Sequence, residues 1–175
     1  MPMVEITTTK GALDDAAKQR LAGELSTIAL ELEAAPFADF GEDAHMQALS
    51  WCFVNEQEVF LGGQIHAKPI YRVIVTIPEG APGVFGPLAR RGREKLTQRV
   101  TAAVLAADGS ENTMVEAHRV WVHLRKITDG HWGAFGEIVT SPELAAYGFK
   151  KDEPESKTAR MRDAAMQSIG AASIA

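Results

Sequence analysis

The second residue of the chain is the one whose type and position carry the most chemistry. Pro2 stands directly before Met3 to Thr9, a run rich in β-branched residues. Small second residues, proline included, generally permit removal of Met1, which leaves a secondary amine as the chain terminus. A terminal α-amino group titrates near about 7.7–8.0, and burial among apolar side chains disfavours its charged form by about 1.4 kcal/mol per pKa unit lowered. A buried prolyl nitrogen is then a free base at neutral pH. Such a base suits proton abstraction next to a carbonyl, because efficient transfer wants a pKa near the working pH. Many chains begin Met-Pro with no catalytic consequence, so Pro2 by itself only marks a candidate.

A second group of candidates lies on one segment. In Arg119 to Ile127, Arg119, Trp121, His123 and Arg125 alternate with Val120, Val122 and Leu124, which gives a polar face and a core face if the segment is a strand. Arg119 or Arg125 can hold a carboxylate by paired hydrogen bonds, or can serve in an intersubunit salt bridge. His123 can donate to a developing enolate, or sit satisfied in an interface. Trp132 and Phe135, in the glycine-rich stretch GHWGAFGE at 130–137, can wall an apolar pocket or pack between subunits. The remaining histidines, His45, His66, His118 and His131, have no HxH or HxxxH spacing, so neither a metal nor a cofactor is expected.

The elements that must position these residues follow from periodicity. Met3 to Thr9, closed by Lys10-Gly11, reads as a strand and a turn. Leu13, Ala17, Leu21, Leu25, Ile28 and Leu32 recur at three and four, which predicts one helix over 13–34. Leu49 to Val54 is strand-like and the segment ends near Gly62-Gly63. The order then repeats: a strand at Tyr71 to Ile77, a helix at Leu88 to Ala106, and a strand at Arg119 to Ile127. Matching halves predict a duplicated β-α-β unit, with repeats at about 2–64 and 70–140. The fold class is α+β, with a four-stranded sheet and two helices on one face. Residues 141–175 form an extension with one modest helix between Ser156 and Ile169. The sheet face opposite the helices still needs covering, which oligomerisation would provide.

Composition narrows the classes further. Eighteen Lys plus Arg against twenty-three Asp plus Glu leave a net charge of -5, so nucleic acid is not an expected partner. The single cysteine, Cys52, can form no intramolecular disulfide and no thiolate cluster. No apolar run approaches the roughly 18–20 residues of a membrane span, and the first ten residues lack a signal peptide's apolar segment. A cytoplasmic address is expected.

With Pro2-Met3-Val4-Glu5-Ile6, the glycines of VFLGG at 59–63 and GHWGAFGE in this order and spacing, the chain resembles the tautomerase superfamily, whose members use an amino-terminal proline in a β-α-β unit. VFLGG, the Arg-Arg-Gly-Arg region at 90–93 and VWV at 120–122 make it similar to the cis-3-chloroacrylic acid dehalogenase group, and the 130–137 stretch resembles the hairpin near the end of 4-oxalocrotonate tautomerase. The resemblance covers about 2–140 and implies a homotrimer. It carries Pro2 over as the catalytic residue and sets His123 where the group has a strand tyrosine. Other positions depart from it. The group's helix histidine falls near Ala29, its two substrate-binding arginines near Pro78 and Ala81, and its water-activating glutamate near Ala134. The two arginine positions of 4-oxalocrotonate tautomerase fall on Ala12 and around Trp121.

The resemblance thus implies proton transfer on a 2-oxo acid or dienol. Pro2 would be the base, His123 would stabilise the enolate, and Arg119 or Arg125 would bind the carboxylate beside Trp121, Trp132 and Phe135. Two alternatives stay open. One is a hydratase, decarboxylase or dehalogenase with cationic Pro2 as general acid, which the loss of the glutamate weakens. The other is a non-catalytic trimer.

Overall fold

The computed structural model describes residues 2–86, 89–150 and 155–172. Strand β1 (Met3–Thr9) alternates as its sequence requires, with Val4, Ile6 and Thr8 buried and Met3, Glu5 and Thr7 half-buried. Helix α1 (Asp15–Glu33) starts where the Asp14 side chain accepts the Ala17 N–H at 2.7 Å, which satisfies one of the first turn's free donors. Its stripe of Ala17, Leu21, Leu25, Ile28 and Leu32 is buried. A short α2 (Ala44–Gln47) leads into β2 (Trp51–Gln57). Next comes a small hairpin of β3 (Phe60–Leu61) and β4 (Gln64–Ile65), turned by Gly62 and Gly63 at φ +57° and +80°, values that exclude most other residues.

The second unit repeats the plan with β5 (Tyr71–Pro78), α3 (Pro82–Phe85), α4 (Arg90–Ala107), α5 (Met114–Ala117) and β6 (Val120–Ile127). The expected helix start at Leu88 lies outside the described residues. A hairpin of β7 (Trp132–Ala134) and β8 (Glu137–Val139) follows, then α6 (Ser141–Phe149) and α7 (Lys157–Ala172).

The main sheet has the order β2-β1-β5-β6. β1 and β2 are parallel, β5 and β6 are parallel, and the two halves meet antiparallel through β1 and β5, with Glu5 opposite Ile74. Each β-α-β unit therefore supplies one central and one edge strand, as the duplication predicts. Helices α1 and α4 cover one face, where Val4, Ile6, Val73 and Val75 meet Leu21, Leu25, Leu96 and Val104 in a single core. The helical layer closes on glycine: a Cβ at Gly92 of α4 would stand 1.8 Å from the Gly83 carbonyl oxygen of α3.

The extension is docked, and it holds two helices where the sequence reading expected one. Leu30 of α1, Met46, Val139, Tyr147 and Met161 form a second buried cluster. The Tyr147 hydroxyl donates to the His45 carbonyl at 3.1 Å. Lys157 at the start of α7 pairs with Glu137 and with Glu143 of α6. Part of the charged run that follows α6, residues 151–154, lies outside the described residues.

The other sheet face carries three rows read across the strands: Trp51, Met3, Thr76 and Arg125, then Phe53, Glu5, Ile74 and His123, then Asn55, Thr7, Arg72 and Trp121. Trp51, Phe53 and Trp121 are exposed there. Among the described residues no helix is long and apolar enough to cross a membrane.

Candidate active site

Pro2 is buried at the head of the central strand β1. Met3 pairs with Thr76, so extending the antiparallel register by one residue sets Pro2 beside Ile77. Because β1 and β5 run oppositely, the chain direction carries the nitrogen of Pro2 toward Pro78.

Pro78 is one wall of a cavity of about 310 Å³. Glu33 on the last turn of α1, Phe40, Met46 and Ala81 supply further walls, and α6 closes the space with Ser141, Leu144, Ala145 and Phe149. Phe40 and Phe149 meet edge to face with centroids 5.5 Å apart. Glu33, only 8% exposed, is the one charged side chain among the described residues that line the cavity. It was not among the candidates drawn from the sequence. The available signal was its place at i+4 from Ala29 and i+8 from Leu25, a carboxylate on an otherwise apolar helix stripe.

The candidates from the 119–127 segment separate. Arg119 is not available to a substrate. Its guanidinium is buried, with Nη1 donating to Asp108 Oδ2 at 2.9 Å and to the Pro69 carbonyl at 2.6 Å, Nη2 to Ser110 Oγ at 2.8 Å, and Nε to Glu116 Oε2 at 3.0 Å. Burial lowers the guanidinium pKa, but the hydrogen bonds to Asp108 and Glu116 outweigh it and the net shift is upward. Burial likewise raises the Asp108 carboxyl, and the bonds from Arg119 and Ser110 more than reverse that, so its pKa lies below the usual carboxylate value. Arg119 precedes the strand, so strand parity does not govern it. It also lies at the far end of the sheet from Pro2, since Val120 pairs with Tyr71, which pairs with Thr8 near the end of β1.

Trp121, His123 and Arg125 do share the open face, as parity requires. Arg125 reaches Glu5 at 3.5 Å, a long and exposed contact that leaves most of its donors accessible. The Trp121 indole N–H donates to the His118 carbonyl at 3.2 Å. His123 lies three residues and two strands from Pro2's row, roughly 14 Å in backbone terms, so it does not approach the proline of its own chain.

Trp132 is buried in β7 opposite Val139, and Phe135 is exposed at the turn of that hairpin with φ +56°. Neither lines the cavity, so the expected aromatic wall comes instead from Phe37, Phe40 and Phe149. Ala134 is half-buried in β7, packed against the second cluster.

No protein-family model matches the sequence, and no curated protein matches it. Solved structures do match the fold. N1, a member of the cis-3-chloroacrylic acid dehalogenase family, superposes with a TM-score of 0.64 at 15% identity over 92% of this chain and 99% of that one. Pt0534 inactivated by 2-oxo-3-pentynoate gives 0.59 at 18% identity over 81% and 98%. A fused 4-OT symmetric trimer gives 0.57 at 19% identity over 80% and 96%. These are tautomerase-fold proteins, and the chain shares their fold, including that of the dehalogenase group to which its sequence pointed.

Proposed function

We propose that the chain is a tautomerase-type isomerase in which Pro2, freed by removal of Met1, transfers a proton next to a carbonyl. The observation that carries this reading is the buried proline at the head of the central strand, one residue before the Met3–Thr76 pair and so near Ile77, the neighbour in sequence of Pro78 in the cavity wall. Pro78 and Ala81, where the resembling group places its substrate-binding arginines, both line that cavity. Apolar walls favour the neutral amine over its ammonium form, which keeps the base active at neutral pH. Arg125 is the remaining candidate for holding a substrate carboxylate, and His123 for stabilising an enolate, each reaching a site from a neighbouring chain of a homotrimer.

Intact mass and labelling test the base. An alkynyl ketone adds an amine across its triple bond, with a new N–C bond and the amine proton passed to carbon. Treatment with 2-oxo-3-pentynoate and its neutral analogue 3-pentyn-2-one should therefore add one reagent mass to the proline-bearing peptide of a chain lacking Met1. Pro2→Ala should lower ketonisation of an enol at least about tenfold with the fold intact, since general acid-base groups contribute roughly a hundredfold or more. A retained Met1, or unchanged turnover in Pro2→Ala, would defeat the reading and favour a non-catalytic trimer.

Glu33 supports a second reading. The dehalogenase group's glutamate position is Ala134 here, but Glu33 puts a different carboxylate in the cavity wall, and a carboxylate is what water activation needs. Incorporation of ¹⁸O from labelled water into an unsaturated acid, lost in Glu33→Gln, would identify a hydratase.

A further inference from the structure

The cavity near the head of β1 is walled mainly by hydrocarbon. Apart from Glu33 and Ser141, every side chain that lines it is apolar, and Glu33 is buried enough to lend the space little charged surface. Met46 and Ala81 are buried and make its floor, while Phe37, Ala145 and Phe149 are exposed and make its rim. At Pro78 and Ala81, where the resembling group places its substrate-binding arginines, a ligand meets a proline ring and a methyl group. A charged group desolvated there without a partner would be costly, so the part of a ligand that lies here is hydrocarbon and its charged end is held elsewhere. Helix α6, which follows the duplicated unit, supplies Leu144, Ala145 and Phe149 to the wall. It is closely seated: a Cβ at Gly148 would stand 3.0 Å from the Phe40 ring, which Phe149 meets edge to face. At roughly 30 Å³ for each group the size of a water molecule, a volume of about 310 Å³ takes an alkyl tail of about six carbons with room at the rim.

We infer that this cavity receives the hydrocarbon tail of the substrate and that α6 is the wall that selects for it, so the substrate class is a 2-oxo acid with an unbranched alkyl tail of about four to six carbons. That the tail belongs to a substrate rests on the proton-transfer reading of Pro2; the tail site itself does not. On that reading the prolyl nitrogen takes a proton from C3, the electron pair of the C–H bond passes into the enolate, and the resulting ammonium returns a proton to C3. In deuterated water the ammonium exchanges with solvent before the return, so each turnover replaces one C3 hydrogen by deuterium.

The test is a series of increasing tail length. Each methylene buried should strengthen binding about fourfold, and because the tail is held alike in ground and transition states the gain appears in kcat/KM. Deuterium exchange at C3, followed by NMR, should therefore have a kcat/KM at least about thirtyfold higher for 2-oxooctanoate than for 2-oxobutanoate. The neutral pair 2-octanone and 2-butanone, titrated by ligand-observed NMR, should show a similar gap in affinity with no reaction required. Ala145→Trp, which fills the space from α6, should reduce both gaps to below about fivefold; Ala81→Leu fills it from the floor and serves if that variant fails to fold. Exchange and affinity that do not depend on tail length, or gaps unchanged in folded Ala145→Trp and Ala81→Leu, would each overturn the tail site. Exchange that is independent of tail length but lost in Pro2→Ala would remove the tail site and leave the proton-transfer reading standing. A ketone gap that Ala145→Trp abolishes, in a protein that exchanges none of the acids, would uphold the tail site and remove that reading.

Discussion

Arg119 shows how one side chain can be misplaced by a correct pattern. Its parity with Trp121 and Arg125 is real in the sequence, but the strand begins at Val120, and one residue earlier the backbone is free to send the guanidinium into the layer between sheet and helix. Its partners Asp108, Ser110 and Glu116 come from the end of α4 and the loop and turn beyond, contacts that no periodicity in 119–127 announces. Glu33 is hidden for the opposite reason: it lies on the buried side of α1 among apolar residues, where hydrophobic spacing singles out only its neighbours. Replacing Arg119 by Met should cost about 3–5 kcal/mol at pH 7, because it strands the buried Asp108 carboxylate. The pH dependence has a defined sign. In the unaltered chain Asp108 titrates below its unfolded value, so its contribution is present above about pH 4 and is lost as pH falls through the folded pKa. In Arg119→Met the unpaired carboxyl prefers its proton, so the penalty should shrink between pH 5 and pH 3. Urea denaturation at several pH values checks both; a penalty that stays constant with pH would mean the loss comes from packing and not from Asp108.

At the scale of elements, periodicity served where one face was buried and little else competed. The bounds of β1 were legible to the residue, and α1 within two residues, because strict alternation and the three-four spacing each permit one arrangement. Helix α6 was not read, although its start carries a local signal in Thr140-Ser-Pro-Glu143. The Thr140 backbone N–H donates to Glu143 at 2.8 Å and its hydroxyl at 2.9 Å, while Pro142 needs no hydrogen-bond partner in the first turn. The motif is only four residues long and precedes a weakly periodic segment, so hydrophobic patterning alone passes over it. The donors from Thr140 also hold the Glu143 carboxyl below its usual range, so its share of the cap is present above about pH 4.3 and fades as pH falls further. Thr140→Ala should cost about 1 kcal/mol, read as a lowered midpoint in thermal melts. Since α6 roofs the cavity, it should also increase amide exchange in 141–149 more than in β1 or β5. Uniform exchange throughout the chain would show that α6 has no separate stability to lose.

For the whole molecule, the decisive feature is the sheet face that the helices leave bare. Trp51, Phe53 and Trp121 are respectively 55%, 45% and 66% exposed on it, alongside Met3, Ile74, Arg72, His123 and Arg125. Burying one large aromatic side chain is worth about 1.5–3 kcal/mol, so three such faces turned inward around one axis would gain far more than a small monomer's whole margin of stability. A closed ring also solves the geometric problem of the site. His123 lies too far across its own sheet to reach Pro2, and a neighbouring chain is what can bring it there. The expected outcome is a homotrimer in sedimentation equilibrium at micromolar concentration. Tryptophan emission should shift to shorter wavelength on association, since Trp51 and Trp121 pass from water into an interface while Trp132 is buried throughout. Trp121→Glu introduces a charge into each copy of that interface and should yield monomers that keep the helical circular dichroism signal but lose Pro2-dependent activity. Activity that survives in a demonstrated monomer would place every working group within one chain, and His123 would then have no part in the chemistry.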